Sequence, residues 1–169
     1  MTRAPRASYT PLLVQIRLPD FFEIERFIPE LKATDRDSAL REMVETLEIG
    51  QRVRDRDILL EMLRQREQLG STALGRGIAV PHGRSLAISE LMVVVARSTP
   101  GIDFDAMDGK PVHLIFLTAA PPQERANLYL PLLGKIVELV KSARVRKKLM
   151  SARDFAAFAA IMVEVDEDE

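Results

Sequence analysis

The sequence contains no cysteine and no tryptophan among its 169 residues, and only 5% of the residues are aromatic. The absence of cysteine excludes a disulfide framework, a thiolate nucleophile, an iron–sulfur cluster and every cysteine-based zinc site. Only two histidines, His82 and His113, are present, and no H-E-x-x-H spacing occurs. We therefore predict no metal site and no metal-dependent hydrolase.

Long apolar runs are also missing. The longest are residues 91–96 and 114–120, which have the length of strands, whereas a membrane-spanning helix needs about 20 residues. The N-terminal Arg3 and Arg6 are not followed by an apolar stretch of signal-peptide length. We expect no membrane insertion and a cytoplasmic location.

Two common motifs for nucleophilic and nucleotide chemistry are absent. The sequence has neither G-x-S-x-G nor G-x-x-x-x-G-K-[ST], which excludes a nucleophile elbow and a nucleotide-binding phosphate loop. The pair Gly75-x-Gly77 begins like a dinucleotide fingerprint, but Val80 occupies the position of the third glycine. No cofactor is expected.

Charge is nearly balanced, with 24 basic and 25 acidic residues, but it is unevenly distributed. Five of the last six residues are acidic, so we expect residues 164–169 to form a disordered tail. Residues 141–153 contain six basic residues and no acid. This stretch lacks the aromatic residues that stack on bases, which favours a solvated basic helix end over a nucleic-acid surface.

The patterning predicts one domain over residues 21–163, preceded by a variable extension over residues 1–20. Thr34 and Asp37 resemble a capping box before a helix that ends ahead of Gly50. Asp55 can cap a second helix that runs towards Gly70, and the two helices should form an αα unit.

Short apolar runs after Gly70 predict strands over residues 78–80, 91–97 and 112–118, the last of them following an Asp108-Gly109 turn. Pro121-Pro122 can open a long helix, in which Pro131 should cause a kink or shift the start. A final helix is expected over residues 153–163. The fold class predicted is α/β (α+β), a mixed β-sheet flanked by helices.

The glycine-rich segment over residues 70–84 contains the strongest candidate for chemistry. An apolar strand leads to His82, which stands between Pro81 and Gly83. Neutral imidazole has one ring nitrogen with a lone pair that can attack phosphorus. Glycine N–H groups and arginine side chains can bind a phosphoryl group. The supporting polar residues that lie nearby in sequence are Ser71, Thr72, Arg66, Arg76 and Arg84.

The same residue types are also compatible with a turn that only positions a hydrogen-bonded histidine at a strand end. For His113 this structural interpretation is favoured, because it alternates with Val112 and Leu114 in a predicted strand and shares a face with Ile115 and Leu117.

Residues 66–82, REQLGSTALGRGIAVPH, resemble the pattern R-E-x-x-G-S-T-G-I-G-x-G-I-A-I-P-H of the enzyme IIA proteins of the bacterial phosphoenolpyruvate-dependent phosphotransferase system, in the fructose/mannitol and nitrogen-regulatory branch. Residues 102–112, IDFDAMDGKPV, resemble the segment before the central strand of these proteins and favour the nitrogen-regulatory type. The resemblance covers residues 22–163 and implies a mixed sheet flanked by helices.

The resemblance implies that His82 accepts a phosphoryl group from a phosphocarrier protein (HPr-like) and that Arg66 helps to bind it. Ser71, Thr72, Gly83, Arg84 and Asn127 are the expected supporting residues. Phosphorylation would then regulate partner proteins such as kinases or transporters, with no cofactor, no metal and no nucleic acid involved.

One position departs from the family pattern. Family members usually carry a second active-site histidine near the start of the helix after the proline-rich loop, where this sequence has Asn127. Asparagine can form hydrogen bonds but cannot take up a proton at neutral pH. Three functions stay open: a nitrogen-regulatory phosphohistidine carrier, a sugar-specific enzyme IIA that passes phosphate to enzyme IIB, and a non-phosphorylated regulatory binding module.

Overall fold

The structure is a computed structural model that describes residues 16–48, 52–124 and 126–168. Its helices and strands follow one another in a mixed order, beginning with two short 3-10 helices, Leu18–Phe21 and Ile24–Arg26. The remaining elements are β1 (Phe27–Ile28), α1 (Arg36–Glu48), α2 (Arg56–Gln68), β2 (Ala73–Gly75), β3 (Ile78–Ala79), β4 (His82–Arg84), β5 (Met92–Ile102), β6 (Val112–Ala120), α3 (Tyr129–Leu139), α4 (Ala143–Ser151) and α5 (Phe155–Glu167).

The strands form one mixed sheet with the order β1-β5-β6-β3-β2, and β4 also pairs with β6. The long strands β5 and β6 are antiparallel and form the centre. Strand β1 runs parallel to β5, and both β3 and β4 run parallel to β6. The mixed sheet flanked by helices therefore confirms the predicted fold class.

Strands β3 and β4 lie one after the other along the same edge of β6. Ile78 pairs with Leu114 and His82 pairs with Thr118, so both pairs are separated by 36 positions in the sequence. Pro81 lies between the two strands and has no N–H to contribute to the ladder. The register continues past it, and this places His82 beside the last third of β6.

Side chains alternate between the two faces of the sheet, as the period of a β-strand requires. On β5, Val94 and Ala96 belong to the apolar cluster that contains α1 and α2 residues. Val93 and Val95 belong to the cluster formed with α3, α4 and α5. The sheet is thus covered by two helices on one face and three on the other.

The predicted helix pair is present, with one correction. Asp55 caps α2 as expected, because its carboxylate accepts the N–H groups of Asp57 and Ile58. The helix α1 is capped by Asp35, whose carboxylate accepts the N–H of Ser38 at 2.9 Å, and not by Thr34. Both residues can cap a helix, and α1 begins one residue later than the Thr34 pattern predicted.

The helix after the proline pair starts later than Pro121-Pro122 predicted. It begins at Tyr129, so Pro131 falls in its first turn, where an N–H is not needed. Just before the helix, the carboxylate of Glu124 accepts the N–H groups of Ala126 at 3.1 Å and Leu128 at 2.6 Å. Pro131 therefore shifted the start of the helix, which was one of the two outcomes expected.

Both ends of the expected domain need correction. Ile16 and Leu18 are buried in the core, so the packed region begins before residue 21. Residues 164–167 belong to α5 and are not a disordered tail. Asp166 accepts the N–H of Leu18 at 2.8 Å and lies 3.8 Å from the ammonium of Lys135, which explains why this part of the acidic run is ordered. Residues 1–15 and 169 lie outside the described residues.

The basic stretch over residues 141–153 contains α4, a helix capped by Ser142, whose hydroxyl accepts the N–H of Val145. This confirms the prediction of a basic helical segment. None of the helices that the structure describes combines the length and the apolar character needed to cross a membrane.

Candidate functional site

The imidazole of His82 is oriented by a main-chain group. Its Nδ1 atom lies 2.7 Å from the carbonyl oxygen of Val80. A carbonyl can only accept a hydrogen bond, so Nδ1 carries the proton and donates it. Neutral His82 therefore has its lone pair on Nε2. The side chain is partly exposed, so the ring is accessible from solvent.

The carbonyl that orients His82 belongs to a chain of hydrogen bonds that starts at the end of α2. The N–H of Val80 donates to the carbonyl of Thr72 at 3.0 Å. Thr72 in turn donates both its hydroxyl and its N–H to the carboxylate of Glu67, which is only 5% exposed. Arg36 pairs with this carboxylate at 3.6 Å. Glu67 thus holds the loop whose Val80 carbonyl orients the His82 ring.

Replacement of Thr72 by valine should lower the free energy of unfolding by about 2 kcal/mol, because it removes a buried hydrogen bond to a charged group. For a chain of this size the melting temperature should fall by about 4–8 °C. Thr99 is the matched control, since its hydroxyl and N–H donate to Glu30 in the same way on the exposed surface.

Thr99→Val should cost no more than about 0.5 kcal/mol. Thermal unfolding followed by circular dichroism measures both variants. Equal losses in the two variants would contradict the assignment of Glu67 and Thr72 as the buried support of this loop.

A side chain from α3 lies beside the His82 ring, and a side chain from β4 stacks on that α3 residue. The ring centroid of Tyr129, the first residue of α3, is 6.5 Å from that of His82. The guanidinium of Arg84 stacks 4.4 Å from the centre of the Tyr129 ring and lies within 3.5 Å of the carbonyls of Pro121 and Pro122. Burial raises the pKa of the Tyr129 phenol, and the positive charges of Arg84 and Arg66 act in the opposite direction.

Arg66 reaches the same region from the last turn of α2. One of its guanidinium nitrogens donates to the carbonyl of Gly70 at 2.9 Å, and its charge acts on the Tyr129 phenol. Met62, one helical turn earlier, packs against Gly83, where a Cβ atom would lie 2.1 Å from the methionine sulfur. A side chain at residue 83 would displace Met62, so the glycine allows the close approach of α2 to β4.

The other predicted site residues have different surroundings. The Ser71 hydroxyl donates to the carbonyl of Phe104 and accepts the N–H of Ala73, and the Thr72 hydroxyl is used by Glu67. Both residues support the loop. Asn127 is exposed and adopts a φ of 52°, and its N–H donates to the carbonyl of Glu124 at 3.2 Å. It lies two residues before Tyr129.

Tyr129 is the residue of this site that the sequence did not reveal. The one feature of the sequence that could have indicated Tyr129 is its position, just after the proline-rich loop and Asn127. The predicted helix start at Pro121-Pro122 placed it inside a helix, so nothing pointed to a contact with Arg84 or His82.

His113 lies away from this group. It is five residues before Thr118 on β6, a separation of about 17 Å from the position of His82. Its Nδ1 atom bonds to the carbonyl of Ser98 at 2.9 Å. The interpretation of His113 as a hydrogen-bonded sheet histidine is confirmed. Among residues 16–48, 52–124 and 126–168, no three His, Asp or Glu side chains are grouped so as to hold a metal ion.

Comparison with family models, with known sequences and with solved structures identifies the same family. Residues 20–165 match the family described as "Phosphoenolpyruvate-dependent sugar phosphotransferase system, EIIA 2". A nitrogen regulatory protein of Bradyrhizobium diazoefficiens is 36% identical over 147 residues, which are 86% of this chain and 94% of that protein. A fructose-specific EIIA component of Haloferax volcanii is 38% identical over 116 residues, which are 69% of this chain and 75% of that protein.

A solved structure has the same fold. The crystal structure of the nitrogen regulatory protein IIA-Ntr from Neisseria meningitidis matches with a TM-score of 0.78 and 28% sequence identity, covering 86% of this chain and 98% of that one. These matches confirm the resemblance drawn from residues 66–82 and 102–112. The chain belongs to the enzyme IIA type 2 family of the phosphoenolpyruvate-dependent sugar phosphotransferase system.

Proposed function

We propose that the protein is a phosphohistidine carrier of the nitrogen-regulatory type, which accepts a phosphoryl group on Nε2 of His82 from a phosphocarrier protein. One arrangement supports this most strongly: the hydrogen bond from Nδ1 to the Val80 carbonyl leaves the lone pair on Nε2 of a partly exposed ring, and Tyr129 lies beside that ring with the Arg84 guanidinium stacked on it. Such a ring is a nucleophile that needs no deprotonation before it attacks.

The transfer step balances without a further reactant. The lone pair of Nε2 attacks the phosphorus of the phosphohistidine on the carrier protein. A new N–P bond forms while the N–P bond of the donor breaks, and the donor imidazole leaves with the electron pair. His82 keeps its proton on Nδ1, where the Val80 carbonyl stabilises the positive charge that develops on the ring. Electrostatic positioning supplies the rest of the catalysis.

Arg84 and Arg66 are the cations proposed to balance the phosphoryl charge. Both positive charges oppose the burial that raises the pKa of the Tyr129 phenol, and the Tyr129 ring lies beside His82. A guanidinium group can bind two phosphate oxygens at once. Because these groups supply the electrostatic stabilisation, the proposal includes no metal and no organic cofactor.

The nitrogen-regulatory type is proposed on the basis of the relative from Bradyrhizobium diazoefficiens and the structure from Neisseria meningitidis, both described as nitrogen regulatory proteins. The charge of the phosphoryl group would change the surface around His82 and so control binding to partners such as kinases or transporters in the cytoplasm. The similarity to a fructose-specific component supports a second candidate, transfer of the phosphoryl group to an enzyme IIB.

Asn127 supports a third candidate, a binding module that is not phosphorylated. The residue occupies the position of the usual second histidine and is exposed. In the phosphocarrier proposal, Asn127 acts at most as a hydrogen-bond donor or acceptor at the edge of the site. The test of the proposal must therefore detect the phosphoryl group itself.

The test is incubation of the protein with phosphoenolpyruvate, enzyme I and the phosphocarrier from the same organism. We expect one added phosphate by intact mass at mildly alkaline pH. Two-dimensional ¹⁵N–³¹P-coupled NMR of the labelled protein should place the phosphorus on Nε2 of one histidine. Label on Nδ1 would contradict the tautomer derived from the Val80 contact, and absence of label would favour the binding module.

A further inference from the structure

A cleft lies near the end of β6 that is opposite to the end beside His82. It has a volume of about 410 Å³, within the range of small-molecule sites. The lining comes from the β2–β3 turn, the segment that leads into β6, the start of β6, and α4. Its residues are Arg76, Gly77, Lys110, Pro111, His113 and Arg146. Three permanent cations therefore converge on one cleft, and none of the lining residues carries a carboxylate.

Within the part of the chain that the structure describes, none of these three cationic groups forms an ion pair with a carboxylate within 4.0 Å. The side chains of Arg76 and Lys110 make no ion pair within 4.0 Å and no hydrogen bond with the described residues. Arg146 is half-buried, and one of its guanidinium nitrogens donates to the carbonyls of Val140 and Lys141, both at 2.8 Å. Its position is thus fixed by main-chain groups, while its charge remains available to a ligand.

Asp108 is the carboxylate that lies beside these residues, and its role is structural. Its two oxygens accept the main-chain N–H groups of Arg76 at 2.8 Å and Lys110 at 3.1 Å. These hydrogen bonds, the one from Arg76 above all, lower the pKa of the Asp108 carboxyl, and the charge of Lys110 adds to the effect. Asp108 therefore joins the two segments that contribute Arg76 and Lys110 to the cleft.

The backbone at Arg76 gives an independent indication of function. Gly75, Arg76 and Gly77 have φ angles of 81°, 57° and 80°, so three consecutive residues are in the left-handed region. Glycine adopts this conformation freely, whereas a side chain such as that of arginine is strained there. Strained residues are concentrated at binding and active sites, and here the side chain of Arg76 lines the cleft.

We propose that this cleft binds a small phosphate-bearing anion. Two guanidinium groups and an ammonium group match the oxygens of a phosphate in charge and in donor geometry. The cleft lies about 17 Å from the position of His82 along β6. It is therefore a site separate from the phosphorylation site, and the proposal does not depend on phosphorylation of His82.

The NMR signals of the two histidine rings can be used to measure anion binding. Because the chain has only His82 and His113, the imidazole region of its NMR spectrum contains the signals of two rings, and His82→Ala assigns them. The His113 ring lies in the wall of the cleft, against Gly77 and Gly101. Titration with inorganic pyrophosphate at constant ionic strength should shift the His113 signals in a saturable way.

Arg76→Gly is the variant that tests the site without endangering the fold, since glycine is unstrained at a φ of 57°. Loss of one charged contact should weaken pyrophosphate binding about tenfold. Arg144→Ala is the matched control, because Arg144 is an exposed cation on α4 that does not line the cleft. Its dissociation constant should stay within about twofold of that of the wild type.

Three outcomes would overturn the proposal. The first is the absence of saturation at about 10 mM pyrophosphate, which corresponds to binding too weak for a built site. The second is a saturable shift confined to the His82 ring, which would place the anion at the phosphorylation site. The third is equal weakening by Arg76→Gly and Arg144→Ala, which would indicate attraction to the general surface charge.

Discussion

Replacement of His82 by alanine should abolish phosphorylation by the phosphocarrier, while replacement of His113 by glutamine should leave the protein labelled. The reason lies in the surroundings of the two rings, because both are partly exposed and both bond a main-chain carbonyl through Nδ1. Tyr129, with the guanidinium of Arg84 stacked on it, lies beside His82. The His113 ring is confined by glycines on either side, with Gly101 so close that a Cβ atom there would lie 2.8 Å from the imidazole.

The measurement is intact mass after incubation with phosphoenolpyruvate, enzyme I and the phosphocarrier. Circular dichroism must show that each variant is folded. Label that survives in folded His82→Ala would refute the assignment of the nucleophile. If the wild type itself is unlabelled with its own partners, Asn127→His is the next variant to examine, since it restores a titratable ring near the start of α3.

Replacement of Arg97 by methionine should cause the largest loss of stability among the substitutions considered, about 3–4 kcal/mol. The guanidinium of Arg97 is buried and donates to four carbonyls from two parts of the chain. Its Nε atom bonds to Pro29 at 3.1 Å. One terminal nitrogen bonds to three carbonyls at the end of α4, those of Leu149 at 3.0 Å, Met150 at 3.3 Å and Ala152 at 2.6 Å.

Methionine preserves much of the apolar volume of Arg97 but donates no hydrogen bond, so buried carbonyl oxygens would lose their partner. The stacking of the Arg97 guanidinium, 5.1 Å from the centre of the Phe27 ring, would also be lost. Arg153→Met, at an exposed position just after α4, is the control and should change the stability by less than about 0.5 kcal/mol. Chemical denaturation measures both, and similar midpoints for the two variants would contradict this role of Arg97.

The central part of the fold was predictable because its signals are local. Residues 91–97 and 112–118 are apolar runs of strand length, and they became β5 and β6. Strands β1, β2 and β4 have two or three residues each, which is too short for a period to be recognised. Strand β1 pairs with β5, β4 pairs with β6 and β2 pairs with β3, so each depends on a neighbouring strand that only the assembled sheet supplies.

The errors at the helix ends have a common cause: several neighbouring residues satisfied the same local rule. Thr34 and Asp35 can both cap α1, and the contact with Ser38 selected Asp35. Both Pro121-Pro122 and Pro131 are compatible with the first turn of a helix. Since α3 begins at Tyr129, only Pro131 lies in its first turn. The acidic run resembled a disordered tail because the partner of Asp166, the N–H of Leu18, is distant in sequence.

Within the candidate site, the sequence identified the groups that are local to the motif and missed those that come from elsewhere. His82 and Arg84 lie in the glycine-rich segment and Arg66 lies just before it, and the roles expected of His82 and Arg66 came from the resemblance to the enzyme IIA proteins. The acceptor on Nδ1 is a main-chain carbonyl, which no residue type reveals. Tyr129 comes from a different element, and the carboxylate partner of Thr72 is evident only once Glu67 is seen to be buried.

The contact between His82 and the Val80 carbonyl has a consequence for how this protein can vary. Every residue type at position 80 supplies the same carbonyl oxygen, so no single amino-acid exchange there deletes the group that sets the tautomer. Substitutions can weaken it only indirectly, by moving the loop on which it stands. Laboratory selection for loss of phosphorylation should therefore recover changes at His82 and in the loop support around Glu67 and Thr72, while conservative apolar exchanges at Val80 pass without effect.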